Sequence, residues 1–117
     1  QDVQRHRLEY AKEFAVKQRL VLVLKGNKTV VACPDGRVYI NTTGNPGMAK
    51  AEARMCCGII GAFLAQGMAP EQAAAGGVYL HGLAGDRCAE RLSQIGMTAP
   101  DLIEELPALF LELTATK

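Results

Sequence analysis

Leu20-Val21-Leu22-Val23-Leu24 is an unbroken apolar run of strand length, and the rest of the chain offers little to accommodate it. Such a run reads as a strand covered on both faces, as in a parallel sheet flanked by helices. A strand of that kind wants parallel neighbours on both sides, and this chain does not supply them. Thr29 to Cys33 reads as a second strand, Pro34-Asp35-Gly36-Arg37 as a turn and Arg37 to Asn41 as a third strand, so these two form a hairpin. Upstream, Leu8, Ala11, Phe14, Ala15 and Gln18 share one stripe, which predicts an amphipathic helix over Asp2 to Gln18. Beyond the loop Thr42 to Gly47 the chain reads as helical. One helix runs from Ala49 to Gln66 and is closed by Gly67. A second opens at Pro70 and runs to about Ile95, followed by Gly96. Thr98-Ala99-Pro100-Asp101 has the pattern of a capping box before a last helix, which Pro107 is expected to kink or split. One strand and a hairpin cannot cover three or four apolar helix faces. The expected fold class is therefore α/β, a short sheet with a hairpin followed by helices. Residues 1–117 would form the C-terminal part of a single larger domain whose N-terminal half is absent.

Composition removes whole classes of function. A net charge of +1 leaves no basic surplus to hold nucleic acid or acidic lipid. Aromatic residues are 5% and Trp is absent, so no base-stacking platform is expected. No apolar run approaches the roughly 18 residues of a membrane span. Cys33, Cys56, Cys57 and Cys88 make no C-x-x-C pair, and only His6 and His81 could complement them, so no metal site is expected. The adjacent Cys56 and Cys57 suit small apolar residues in a reducing cytosol better than a disulfide framework, which points to a cytoplasmic protein. The chain opens on Gln1 without a signal-peptide pattern, as expected of a processed or excised piece.

Three segments have chemistry-bearing residues. Lys25 to Thr29 follows the apolar strand, at the edge where open α/β sheets bind ligands. Lys25 or Lys28 offers charge, Gly26 permits close backbone approach, and Thr29 offers a hydroxyl and an amide. The same residues also make an ordinary polar turn. Gly44-Asn45-Pro46-Gly47 precedes a helix start, where loop amides can hold an anion or simply cap. His81 reads as a packed, hydrogen-bonded core residue, with catalytic use the alternative. Asp86 and Arg87 read as surface or capping charges. Gly76, Gly77, Gly82 and Gly85 lower helix propensity, so a neighbour is expected to pack very close to this helix.

These segments, in this order, resemble a known family. Val23-Leu24-Lys25-Gly26, Asn41 through Thr43-Gly44-Asn45-Pro46-Gly47-Met48-Ala49, Gly58-Ile59-Ile60 with Leu64-Ala65-Gln66-Gly67, and Val78-Tyr79-Leu80-His81-Gly82-Leu83-Ala84-Gly85-Asp86 carry the likeness. The chain is similar to the C-terminal half of the ADP/ATP-dependent NAD(P)H-hydrate dehydratases, which have a ribokinase-like three-layer fold. The resemblance implies a metabolite-repair lyase that dehydrates hydrated NADH or NADPH with ADP or ATP. It implies that Lys25, Gly26, Asn27, Lys28 and Thr29 line the adenine-nucleotide site and that Asn45, Pro46, Gly47 and Met48 lead into the phosphoryl-transfer segment. Magnesium is expected with the transferring phosphates. A homo-oligomer, or a complementing N-terminal half, would complete the site. A small-molecule kinase of the same fold and an inactive nucleotide-binding fragment are the other readings.

After Ala49 the family reads a spacer and then Gly-Gly-Thr/Ser-Gly-Asp-Val-Leu. Its glycine amides hold the transferring group and its Asp is the base. This chain reads Lys50-Ala51-Glu52-Ala53-Arg54-Met55-Cys56-Cys57-Gly58, so no catalytic residue is assigned, Glu52 being out of register. The codons AAG GCG GAA GCG AGG ATG TGC TGT, read from the third base of the Lys50 codon, give Gly-Gly-Ser-Glu-Asp-Val-Leu. We read this as compensating frame slips across Lys50 to Cys57.

Overall fold

The computed structural model describes residues 2–26, 28–45, 48 and 53–115, with the backbone alone at 2, 3, 53, 54, 99 and 113–115. Helix α1 (Asp2–Gln18) is followed by strands β1 (Leu22–Leu24), β2 (Val30–Ala32) and β3 (Val38–Ile40), then helices α2 (Ala53–Ala65), α3 (Pro70–Gly96) and α4 (Ala99–Ala115). The sheet order is β1-β2-β3 and both pairings are antiparallel.

Alternation along the strands builds three layers. Leu22, Leu24, Val30, Ala32 and Val38 point to one face, where Leu8, Ala11 and Ala15 of α1 cover them. Val21, Val23 and Val31 point to the other, against Cys56 and Ile60 of α2 and Ala74 and Val78 of α3. Helix α4 lies beyond, with Leu109 against Ile59, Leu80 and Ala84, and Leu102 against Cys88 and Met97. Of the expected α1 stripe, Ala11 and Ala15 are fully buried, whereas Phe14 and Gln18 are exposed.

The apolar run departs from expectation. Only Leu22–Leu24 is strand, its residues are half-buried, and its one partner is antiparallel. Continuous hydrophobicity reports that both faces are covered, and they are, by α1 and by α2 with α3. It does not encode the direction of a neighbour. Leu20 is spent on ending α1: Arg19 takes φ 57 and the Leu20 N–H donates to the Ala15 carbonyl at 3.1 Å, a left-handed helix stop.

Turn chemistry behaves as read. The Gly36 N–H donates to the Cys33 carbonyl at 3.0 Å with Gly36 at φ 96, closing the β2–β3 hairpin. Gly67, at φ 90, ends α2 with its N–H on the Leu64 carbonyl and the Met68 N–H on the Phe63 carbonyl. The Asp101 carboxylate accepts from the Thr98 N–H and hydroxyl, both at 2.8 Å, which holds its pKa below the usual value and starts α4. One expectation fails and another narrows. Helix α3 is broken at Ser93 (φ 68, ψ 163), and of the two outcomes expected at Pro107 the split is absent, α4 running through it as one helix. Proline leaves the carbonyl four residues back without its partner, and here that is Ile103, an exposed residue whose carbonyl water can serve. The predicted start of α2 at Ala49 lies outside the described residues.

Candidate functional site

The strand register assembles one end of the sheet. Leu24 lies opposite Val30, which sets Lys25 opposite Thr29, and the Asn41 N–H donates to the Thr29 carbonyl at 2.8 Å. Lys25, Thr29 and Asn41 therefore form a row across the three strands. By alternation from Val23 and Val31 they occupy the face toward α2 and α3. Thr29 is buried, while Lys25 and Lys28 are exposed.

The turn between β1 and β2 is held from behind by Arg7 of α1, a residue that no motif or spacing in the sequence marks. Its Nη2 donates to the Leu24 and Lys25 carbonyls, each at 3.3 Å, and its Nη1 to Gln4 Oε1 at 2.9 Å. A Cβ on Gly26 would lie 2.6 Å from Arg7 Nη2, so the close approach that Gly26 permits is made by this guanidinium. Asn27 lies outside the described residues.

The loop after β3 is fastened to α3 along its glycines. Asn41 Nδ2 donates to the Val78 carbonyl at 3.2 Å and the Thr43 hydroxyl to the Tyr79 carbonyl at 2.9 Å. A Cβ on Gly82 would lie 2.7 Å from the Thr43 carbonyl carbon, and one on Gly85 would lie 2.6 Å from Met48 Cγ. Gly77 sits under Ile60 of α2 in the same way, whereas Gly76 has only an ordinary contact with Phe63. The close neighbour expected of these glycines is thus Thr43 at Gly82, Met48 at Gly85 and Ile60 of α2 at Gly77.

Asp86 corrects its reading as a surface or capping charge. It is half-buried, and it accepts from the Gly44 N–H and from Asn45 Nδ2, both at 2.9 Å. The carboxylate pins the loop at the glycine whose φ is 109. A lone Asp ending the run Gly82-Leu83-Ala84-Gly85 was the available signal. Arg87 is a surface charge, paired with Glu112 of α4. Pro46, Gly47 and the segment 49–52, Glu52 included, lie outside the described residues.

His81 is 4% exposed, and its Nε2 has no hydrogen-bond partner among the described residues. Burial, followed by the Lys25 charge, lowers its pKa from 6.5 to about 4, so the imidazole is neutral. The expected packing is present and the expected hydrogen bond at this nitrogen is not. Lys25 also acts on Cys56 of α2, although burial dominates there and pushes that thiol up. Burial raises Cys33 and Cys88 too, and all four cysteines are unpaired, so the buried ones are inert packing groups.

Two hollows lie nearby. A cleft of about 150 Å³ between β3 and α3 is lined by Tyr39, Asn41, Thr42 and Tyr79 among others. A groove of about 970 Å³ between α2, α3 and α4 is larger, but among the described residues no charged side chain lines it. The polar groups converge at the sheet end, and we take the site to be there. Among the described residues no three His, Cys, Asp or Glu side chains group to hold a metal ion, and no helix is long and apolar enough to cross a membrane.

Comparison with known proteins gives this edge a context. The sequence profile of the NAD(P)H-hydrate dehydratase family matches residues 1–108. The bifunctional NAD(P)H-hydrate repair enzyme Nnr of Moorella thermoacetica is 51% identical over 106 residues, which cover 90% of this chain and 20% of that protein. The ADP-dependent (S)-NAD(P)H-hydrate dehydratase of Bacillus subtilis is 37% identical over 110 residues, 93% of this chain and 40% of that one. The solved structure of the Bacillus subtilis ADP/ATP-dependent enzyme, co-crystallised with ATP/Mg2+ and soaked with CoA, superposes with a TM-score of 0.86 at 37% identity. It covers 94% of this chain and 41% of that one, so the ribokinase-like fold expected from the resemblance is the fold observed. The chain spans between 20% and 41% of the length of these relatives. Over that span it belongs to the NAD(P)H-hydrate dehydratase family.

Proposed function

We propose that this chain is the nucleotide-binding part of an ADP/ATP-dependent NAD(P)H-hydrate dehydratase that works in the cytoplasm. One observation carries the reading: the register brings Lys25, Thr29 and Asn41 into one row, beside a loop that Asp86 anchors to α3. In this reading Lys25, Gly26, Asn27, Lys28 and Thr29 contact the adenine nucleotide. Arg7, by occupying the turn's carbonyls, leaves its amides and the Thr29 hydroxyl for the ligand. Asn45, Pro46, Gly47 and Met48 shape the phosphoryl-transfer site. The nucleotide phosphorylates the hydroxyl of the hydrated nicotinamide ring, and phosphate then leaves. The rest of the pocket for hydrated NAD(P)H comes from the part of the domain that this chain does not span, as a complementing N-terminal half, or from a homo-oligomeric partner.

Magnesium enters this reading with the nucleotide, because that ion keeps several waters and is held through substrate phosphates and one or two carboxylates. Asp86, the described carboxylate at this edge, already accepts two hydrogen bonds from the loop, and no three His, Cys, Asp or Glu side chains among the described residues group to hold an ion by themselves.

A second reading rests on a specific departure. Lys50 to Gly58 lacks the Gly-Gly-x-Gly-Asp segment, which leaves a nucleotide-binding chain without the phosphoryl cradle and base. Calorimetry with ADP and ATP, together with turnover of hydrated NADPH, separates the readings. Peptide sequencing across Met48 to Gly58 on the same sample establishes which loop was assayed. Nucleotide binding with dehydration is the expected result where the peptide reads Gly-Gly-x-Glu-Asp or Gly-Gly-x-Gly-Asp. Binding without turnover, with the peptide as given, selects the second reading. Phosphorylation of hydroxymethylpyrimidine or a sugar in its place would make the protein a small-molecule kinase, and absence of nucleotide binding would overturn both readings.

A further inference from the structure

A buried nitrogen without a partner is expensive, typically by about 1–3 kcal/mol, and native proteins rarely leave one. Among the described residues His81 Nε2 is such an atom, on a side chain 4% exposed. Its position on α3 is fixed by its neighbours. Three residues before it, Val78 packs on Val31 and Cys56, and four residues after it, Gly85 lies under Met48. At helical spacing these residues share one face, so His81 lies between the first turn of α2 and the loop after β3. The polar row at the sheet end lies on the same side of the sheet, because Lys25 and Thr29 continue the Val23 and Val31 face that covers Cys56 and Val78. The Lys25 ammonium is near enough for its charge to act on both the imidazole and Cys56.

Resting on the nucleotide reading above, we propose that His81 is a phosphate-binding residue of this site. Its neutral Nε2–H donates to a phosphoryl oxygen of the nucleotide held over Lys25 and Thr29. The chemistry selects this ligand class. A cation beside a neutral buried imidazole favours an anion, and a phosphoryl oxygen can accept from an ammonium and an imidazole N–H at once. A second cation is disfavoured there by Lys25. A purely apolar group would leave Nε2 as orphaned as before.

The test is nitrogen NMR of the histidine-labelled protein, with calorimetry on the same samples. ADP and inorganic pyrophosphate are expected to move the His81 Nε2 resonance, and adenosine, which lacks phosphate, is expected to leave it in place. His81→Phe is expected to weaken ADP binding roughly 10- to 100-fold, the range for a lost hydrogen bond to a charged group, with adenosine binding unchanged. His81→Gln, which retains an N–H donor, is expected to restore most of the affinity. If ADP binds with measurable heat while Nε2 stays unmoved, the role of His81 is overturned and the nucleotide reading stands. If ADP gives no heat at all, both fall. The resonance measurement needs no variant, so a misfolded His81→Phe does not decide the question.

Discussion

Burial and the Lys25 charge both hold the His81 imidazole neutral, with its pKa lowered from 6.5 to about 4. That shift is also a statement about stability. Above pH 6.5 the imidazole is neutral in the folded and unfolded chain, and its contribution is intact. Between pH 6.5 and 4 the unfolded chain takes up a proton that the folded protein refuses. Stability therefore falls as the pH falls through this window, by about 1.4 kcal/mol per unit and about 3 kcal/mol in total. Below pH 4 the folded form is protonated as well and this loss stops. Urea unfolding at pH 7.5 and 4.5 checks it: the native protein should lose more stability than His81→Gln over the interval, and equal losses would sink the assignment. At this scale the sequence was half legible. The small-residue surroundings of His81 announced burial, but a missing hydrogen-bond partner leaves no trace in spacing. Asp86 and Arg7 act on backbone groups brought close only by the fold, Asp86 across forty residues of chain and Arg7 across the turn after β1.

Glycines in neighbouring helices predict opposite outcomes for the same substitution. Gly82 of α3 has the Thr43 backbone against it, and an added Cβ would lie 2.7 Å from the Thr43 carbonyl carbon. Gly82→Ala should force the loop off α3, breaking the Asn41 and Thr43 hydrogen bonds to the helix, and cost about 1–3 kcal/mol as overpacking does. Gly61 of α2 has nothing within 4 Å of the same added atom. Gly61→Ala should therefore stabilise by the helix-propensity difference, about 0.5–1 kcal/mol. Thermal unfolding of the two variants reads the signs directly, and a destabilised Gly61→Ala would mean that α2 is covered by something beyond this chain. Elements whose ends are written in local chemistry were legible: the Gly36 turn, the Gly67 stop, the Pro70 start and Asp101 reaching back to Thr98. The break at Ser93 was not, because nothing in Leu92-Ser93-Gln94 disfavours helix. Strand direction was not legible either, since Leu20 to Leu24 reads the same whichever way its neighbour runs.

The surface of the whole molecule is larger than its mass requires. A compact monomer of 12.5 kDa exposes about 6,200 Å², whereas this chain exposes 7371 Å². Part of the exposed surface is apolar. Ile95, Ile103 and Leu111 are 85%, 54% and 72% exposed, a groove of about 970 Å³ without charged lining runs between α2, α3 and α4, and β1 pairs on one side alone. Apolar patches and an open strand edge are the two features that native monomers suppress. The unsatisfied apolar run that made the sequence look like part of a larger sheet is, in the fold, this free edge. The 117-residue chain is accordingly expected to self-associate as its concentration rises unless the remainder of a full-length domain covers these surfaces. Light scattering should give a mass above 12.5 kDa, and hydrogen exchange should show the β1 amides slowing as the concentration rises. A monodisperse monomer with β1 amides exchanging at one fast rate would mean that neither the edge nor the apolar faces need a partner. The short sheet would then be a finished one.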